Sequence, residues 1–97
     1  MNSRAYERQG AEAAILAAFT LHYSLFRRLR VVEPDRASKP YDLALATYEE
    51  NPGLRPRMRE IAPVRVVSNF DGLIFTIGDG PSTRMTAALA PRFLKGV

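Results

Sequence analysis

An α+β fold is predicted for this 97-residue chain, and three features of the sequence predict it. Residues 4–32 follow an apolar pattern of helical period and hold no proline. Residues 64–77, VRVVSNFDGLIFTI, form two β-rich runs joined at Asp71-Gly72. Between these stretches, Pro34, Pro40, Pro52, Gly53 and Pro63 leave room only for short helical pieces. The expected order is a long N-terminal helix, one or two short helices, an antiparallel hairpin over about 64–77 and a short C-terminal helix. With 46% hydrophobic and 25% charged residues, residues 1–97 read as a single small domain with one modest core.

On a helical projection of the first segment, Ile15, Phe19, His22, Phe26 and Leu29 form a central stripe. Ala18, Leu21 and Leu25 widen it on one side, and Leu16 and Tyr23 on the other. The resulting arc spans roughly 220°, wider than the stripe of an ordinary surface helix. Only Thr20, Ser24, Arg27 and Arg28 mark a polar side in this part. Such a helix is either wrapped by its own domain or shares a face with a second chain. Leu16, Phe19, Tyr23 and Phe26 are therefore candidate interface residues, and a homodimer through this helix is one arrangement that fits. Arg27, Arg28 and Arg30 sit near its C-terminal end, where cations complement the helix dipole.

Glu33 to Pro40, EPDRASKP, reads as a polar loop. A second helix is expected from Ser38 as N-cap, with Pro40 in its first turn, to about Glu50. Asn51-Pro52-Gly53 then stops it. The next segment, LRPRMREIAP, has two readings. As a short helix it places Arg55 and Arg59 on one face and turns Arg57 away, with Pro56 tolerable only in the first turn. As a strand it places all three arginines on one side. The short helix is the reading adopted.

In the hairpin, Asp71-Gly72 favours a two-residue type I′ turn, because glycine accepts positive φ. That turn pairs Phe70 with Leu73, Ser68 with Phe75 and Val66 with Ile77. One face then carries Val64, Val66, Phe70, Leu73, Phe75 and Ile77, and the other carries Arg65, Val67, Asn69, Ile74 and Thr76. Gly78 to Ser82 forms a turn cluster, and a last helix is expected from about Thr83 to Ala90, capped by Ser82 and ended by Pro91.

Charge is unevenly placed. Residues 1–50 hold seven basic and seven acidic side chains, whereas residues 51–97 hold seven basic and three acidic, so the whole net charge of +4 lies in the second half. Twelve of the 14 basic residues are arginine, the side chain suited to bidentate phosphate or carboxylate contacts. The order helix, helix, basic segment, hairpin resembles that of winged-helix nucleic-acid-binding domains. It implies a phosphate-contacting surface around Arg55, Arg57, Arg59 and Arg65. The competing explanation is a solvated basic edge partly neutralised by Glu49, Glu50 and Glu60. No base-reading pattern accompanies the cluster, and the segment is shorter than a usual recognition helix.

Catalytic chemistry finds little to build on. There are no cysteines, which removes disulfides, thiolate metal sites and a Cys nucleophile. The single histidine, His22, is flanked by Ala18, Phe19, Leu25 and Phe26, so it reads as a half-buried core residue rather than a metal ligand or base. Gly78 to Arg84 has the strand-to-helix position of an anion loop but not the spacing of a Walker or dinucleotide motif, and an ordinary turn accounts for it. A non-enzymatic protein without cofactor or metal is expected. The longest uncharged run, Ala13 to Phe26, is too short to span a membrane, and Glu7 and Glu12 disfavour a signal peptide, so a cytoplasmic location is expected. The alternative to nucleic-acid binding is a protein–protein interaction protein, either an inhibitor or a subunit of a larger assembly such as a virion or secretion complex. It would use the first helix and present the same arginines to an acidic partner.

Overall fold

The computed structural model describes residues 3–69, 72–81, 83 and 84. The fold is α+β: α1 (Ser3–Val32), α2 (Ser38–Glu50), α3 (Arg55–Ile61), β1 (Val64–Asn69), β2 (Gly72–Ile77) and β3 (Thr83–Arg84), with single 3-10 turns at Pro34–Arg36 and Pro52–Leu54. Two compact units are distinguished, Met1–Thr47 and Tyr48–Val97, and their boundary falls within α2.

Among the described residues, α1, α2 and α3 stop for the same reason. The residue before a proline is pushed out of helical geometry by the pyrrolidine ring. Glu33 before Pro34 has φ −145° and ψ 72°, Asn51 before Pro52 has φ −128° and ψ 66°, and Ala62 before Pro63 has φ −149° and ψ 127°. The start of α2 differs by one residue from expectation. Tyr41 N–H donates to the Ala37 carbonyl at 3.4 Å, so Ala37 rather than Ser38 occupies the capping place. The preceding 3-10 turn already holds Ala37 at φ −75°, ψ −26°, which brings helical geometry one residue early.

In the first unit, Phe26 and Tyr41 pack with ring centroids 4.5 Å apart and planes tilted by 50°. Both are buried, and the Arg30 guanidinium lies 5.5 Å from the Phe26 centroid. Such an aromatic pair contributes about 0.5–1.5 kcal/mol beyond the burial of its area. Phe19 on α1 and Ala37, Ala44 and Leu45 around α2 are also buried. Thr20 and Thr47, polar residues inside helices, donate their hydroxyls to the carbonyls of Leu16 and Leu43, each at 2.8 Å.

In the second unit, residues 55–61 are helical, as the short-helix reading required, and Pro56 lies in the first turn where its missing N–H removes no bond. The sheet is antiparallel in the order β1-β2-β3. Its register corrects the turn: Val64 pairs with Ile77, Val66 with Phe75, Ser68 with Leu73 and Asn69 with Gly72. Gly72 thus belongs to β2 rather than to an Asp71-Gly72 loop, and residues 70 and 71 lie outside the described residues. Both registers keep the same residues on each face, so alternation alone does not separate them. The adopted register matches Val64 with Ile77, Val66 with Phe75 and Val67 with Ile74, and polar Arg65 with Thr76, where the alternative set Asn69 against Ile74 and Val67 against Thr76.

Phe75 and Ile77 are buried and Val64 and Val66 half-buried, so the predicted inner face is the covered one. On the opposite face, edge strand β1 exposes Arg65 and Val67, while Thr76 on central strand β2 is buried. Gly78 adopts φ 58° and its N–H donates to Pro63 O at 2.6 Å, prolonging the ladder into a turn closed by Gly80 N–H to Ile77 O at 3.0 Å. Thr83 and Arg84 pair with Phe75 and Ile74 as a strand rather than opening the expected helix, because the turn returns the chain alongside β2. The rest of that expected helix, 85–90, and its cap Ser82 lie outside the described residues.

Candidate functional site

The arginine cluster separates into members with different tasks. Arg55 is 1% exposed. Its Nε donates to the Tyr48 carbonyl at 3.0 Å and its terminal NH2 group to the Glu49 carbonyl at 2.8 Å. The last carbonyls of an α-helix have no partner within the helix. Arg55 supplies that partner for α2, reaching back from the start of α3. Its guanidinium also lies 5.2 Å from the Tyr48 ring centroid. Burial lowers its pKa, an effect opposed by Tyr48 and Glu49 and reinforced by Arg59. Glu49, expected on a solvated helix end, is buried as well, while Glu50 is exposed.

Arg55 is therefore corrected from a phosphate-contacting residue to a helix-capping one. A guanidinium enclosed by protein and bonded to two carbonyls presents no donor to a ligand. Arg59, one turn further along the same face, is exposed but anchored, its NH1 donating to the Tyr48 hydroxyl at 2.8 Å. Arg57 points away from that face and is exposed, as is Arg65 on β1. Among the described residues, neither Arg57 nor Arg65 has a hydrogen bond or ion pair. The sequence reading placed Arg57 correctly, but the capping role of Arg55 depends on how close α2 and α3 are joined, which spacing alone does not reveal.

The interface candidates on α1 are also redistributed. Phe19 and Phe26 are buried, which corrects these two from interface to core, while Leu16 and Tyr23 are half-buried. Tyr23 completes the aromatic group, 6.2 Å from Phe26, with Arg27 lying 6.0 Å from its ring. The exposed apolar residues are the fringe of the arc instead: Leu21 is 56% exposed and Leu25 39%. They border an open groove of about 480 Å³ with Leu29 on α1 and Pro40 and Leu43 on α2. His22, Ser38 and the exposed charged residues Asp35, Arg36 and Lys39 complete its lining. Arg36 is drawn to Glu33 at 3.4 Å. Residues Leu21 and Leu25 were legible as part of the arc, but the groove needs Leu43, whose proximity depends on the turn between the helices.

The Gly78 to Arg84 segment offers little to an anion. The Gly78 and Gly80 amides are taken by backbone carbonyls, and Thr83 and Arg84 form a strand. Among the described residues no three His, Asp or Glu side chains converge as a metal site, and no helix is long and apolar enough to cross a membrane. Comparison with protein-family models, curated proteins and solved structures finds no match to this chain.

Proposed function

We propose that the chain is a non-enzymatic binding protein whose basic half contacts nucleic-acid phosphates through Arg57, Arg65 and the anchored Arg59. The observation that carries this reading is that Arg57 and Arg65 are exposed with no pairing group among the described residues, in the half that holds the entire net charge of +4. Unpaired guanidinium groups on α3 and on the edge strand of a hairpin suit backbone contact, which positions a protein on nucleic acid without reading bases. The element order α1, α2, α3, hairpin is in keeping with a winged-helix-like arrangement. At seven residues, α3 is short for reading a groove, which favours phosphate contact over base recognition.

The test is fluorescence anisotropy with duplex and single-stranded probes across a salt series. Three phosphate contacts correspond to a slope of log affinity against log salt of about −2.7 on duplex DNA. Replacing Arg57 and Arg65 with Ala is expected to weaken binding to all sequences alike and to flatten the slope by about 2. Binding no tighter than about 10⁻⁴ M at low salt overturns the proposal.

A second reading, a protein-binding protein, is favoured by the groove: Leu21, Leu25 and Leu43 surround it at 56%, 39% and 42% exposure. In that case Arg57 and Arg65 meet an acidic partner in place of phosphates, and the same double substitution weakens protein capture instead of nucleic-acid binding.

A further inference from the structure

Arg59 differs from Arg57 and Arg65 in how it is held. Its Nη1 donates to the Tyr48 hydroxyl at 2.8 Å while the side chain stays exposed. Tyr48 belongs to the last turn of α2 and is buried, so packing fixes its ring and makes the hydroxyl a rigid anchor. A guanidinium carries its N–H donors in a planar fork. With Nη1 taken by Tyr48, the edge formed by Nε and Nη2 has no partner among the described residues. The same tyrosine ring lies 5.2 Å from the Arg55 guanidinium, so one side chain orders two arginines. Burial lowers the Arg55 pKa, Tyr48 and Glu49 oppose this, and Arg59 adds to it, so the two guanidinium groups repel each other. Arg55 is answered by Glu49 and by two backbone carbonyls. Among the described residues no carboxylate forms an ion pair with Arg59.

We infer that Arg59 is a stronger phosphate contact than Arg57 or Arg65, and that Tyr48 is its positioning residue, holding the free edge of the guanidinium ready for an oxyanion. This deepens the nucleic-acid reading and rests on it for the source of the phosphate. The physical reason is preorganisation. Arg57 and Arg65 have no partner among the described residues, so a phosphate must order each of them as it binds. Immobilising one rotamer-rich side chain costs a factor of about two to ten in affinity. For Arg59, Tyr48 has imposed much of that order in the folded chain. The parallel N–H groups of Nε and Nη2 match two phosphate oxygens, a bidentate contact that a lysine does not make. A phosphate bound there also offsets the repulsion between Arg59 and Arg55, so the ligand steadies the junction of α2 and α3.

Fluorescence anisotropy with a duplex probe at low salt compares the parent, Tyr48→Phe, Arg59→Ala and the double variant. Phenylalanine keeps the ring beside Arg55 and removes the anchor. Tyr48→Phe is expected to weaken binding about two- to tenfold in the parent and to have no effect once Arg59 is replaced by Ala. A purely structural loss appears in both backgrounds. Arg59→Ala is expected to weaken binding more than Arg57→Ala or Arg65→Ala. Arginine side-chain NMR during titration with inorganic phosphate, with ionic strength matched by chloride, forms the second arm. Arg59 should respond at a lower concentration than Arg57 or Arg65, and Tyr48→Phe should erase that lead. If the duplex does not bind but Arg59 still leads with inorganic phosphate, the nucleic-acid reading falls and the site stands, its phosphate belonging to a free ligand. If the duplex binds but Tyr48→Phe weakens it equally in both backgrounds, the inference is overturned and the nucleic-acid reading stands. The same holds if Arg59→Ala weakens binding no more than Arg57→Ala. Failure of both arms overturns both.

Discussion

Arg55→Met separates the capping role of this residue from any ligand role. Methionine keeps much of the side chain's length and apolar stem but removes every donor. The Tyr48 and Glu49 carbonyls then lose partners now held at 3.0 and 2.8 Å, inside a region where Arg55 itself is 1% exposed. Hydrogen bonds to a charged group are each worth about 1.5–3 kcal/mol. The Coulombic attraction between Arg55 and the buried Glu49 is lost with the same group. These effects overlap because one group serves both, so the expected loss is about 3–5 kcal/mol rather than their sum. Against a total stability of about 5–15 kcal/mol that is a large fraction. Urea unfolding followed by circular dichroism measures it directly. In thermal unfolding the midpoint should fall by at least about 12 °C, at about 4 °C or more per kcal/mol for a domain of this size. Arg55→Lys retains charge without the planar fork and should fall between the parent and Met. Arg57→Met, at an exposed position without a partner, serves as the control and should stay within about 0.5 kcal/mol. An Arg55→Met loss below about 1 kcal/mol would refute the argument, since the end of α2 would then hold without its cap.

The hairpin faces make a paired prediction: Phe75→Ala should cost about 3–5 kcal/mol, while Val67→Ala, at 59% exposure on the opposite face, should cost under about 1 kcal/mol. Chemical denaturation of both variants checks it, and a reversed order would mean the faces are exchanged. Gly78 has φ 58°, so Gly78→Val should destabilise by about 1–2 kcal/mol or more, read as a lowered unfolding midpoint.

Most of the architecture was written in local chemistry. The period of residues 4–32, the three prolines after Glu33, Asn51 and Ala62, and the alternation within residues 64–77 each act over a few residues, so each could be read without the rest of the chain. The turn register could not, because two pairings with the same parity satisfy alternation equally and cross-strand matching chooses between them. The candidate sites were harder for a related reason. An arginine at position 55 looks the same in the sequence whether it projects to solvent or folds back onto carbonyls that only a helix end exposes. Likewise, an apolar arc as wide as that of α1 does not say which part its own chain will cover. Phe19 and Phe26 at the centre of the arc are buried, while Leu21 and Leu25 on one edge stay exposed.

The prolines that end the helices also bear on how quickly the chain can reach this fold. No cis peptide is present among the described residues, so the bonds from Glu33, Asn51 and Ala62 to their prolines are all trans. In an unfolded chain each such bond spends about 10–30% of its time cis and changes over tens to hundreds of seconds. Roughly a quarter to two-thirds of unfolded molecules would therefore begin with at least one of the three bonds in the wrong isomer. Those molecules must wait for that bond before the adjoining helix can take its place. Sharp helix boundaries thus come with a divided population at the start of folding.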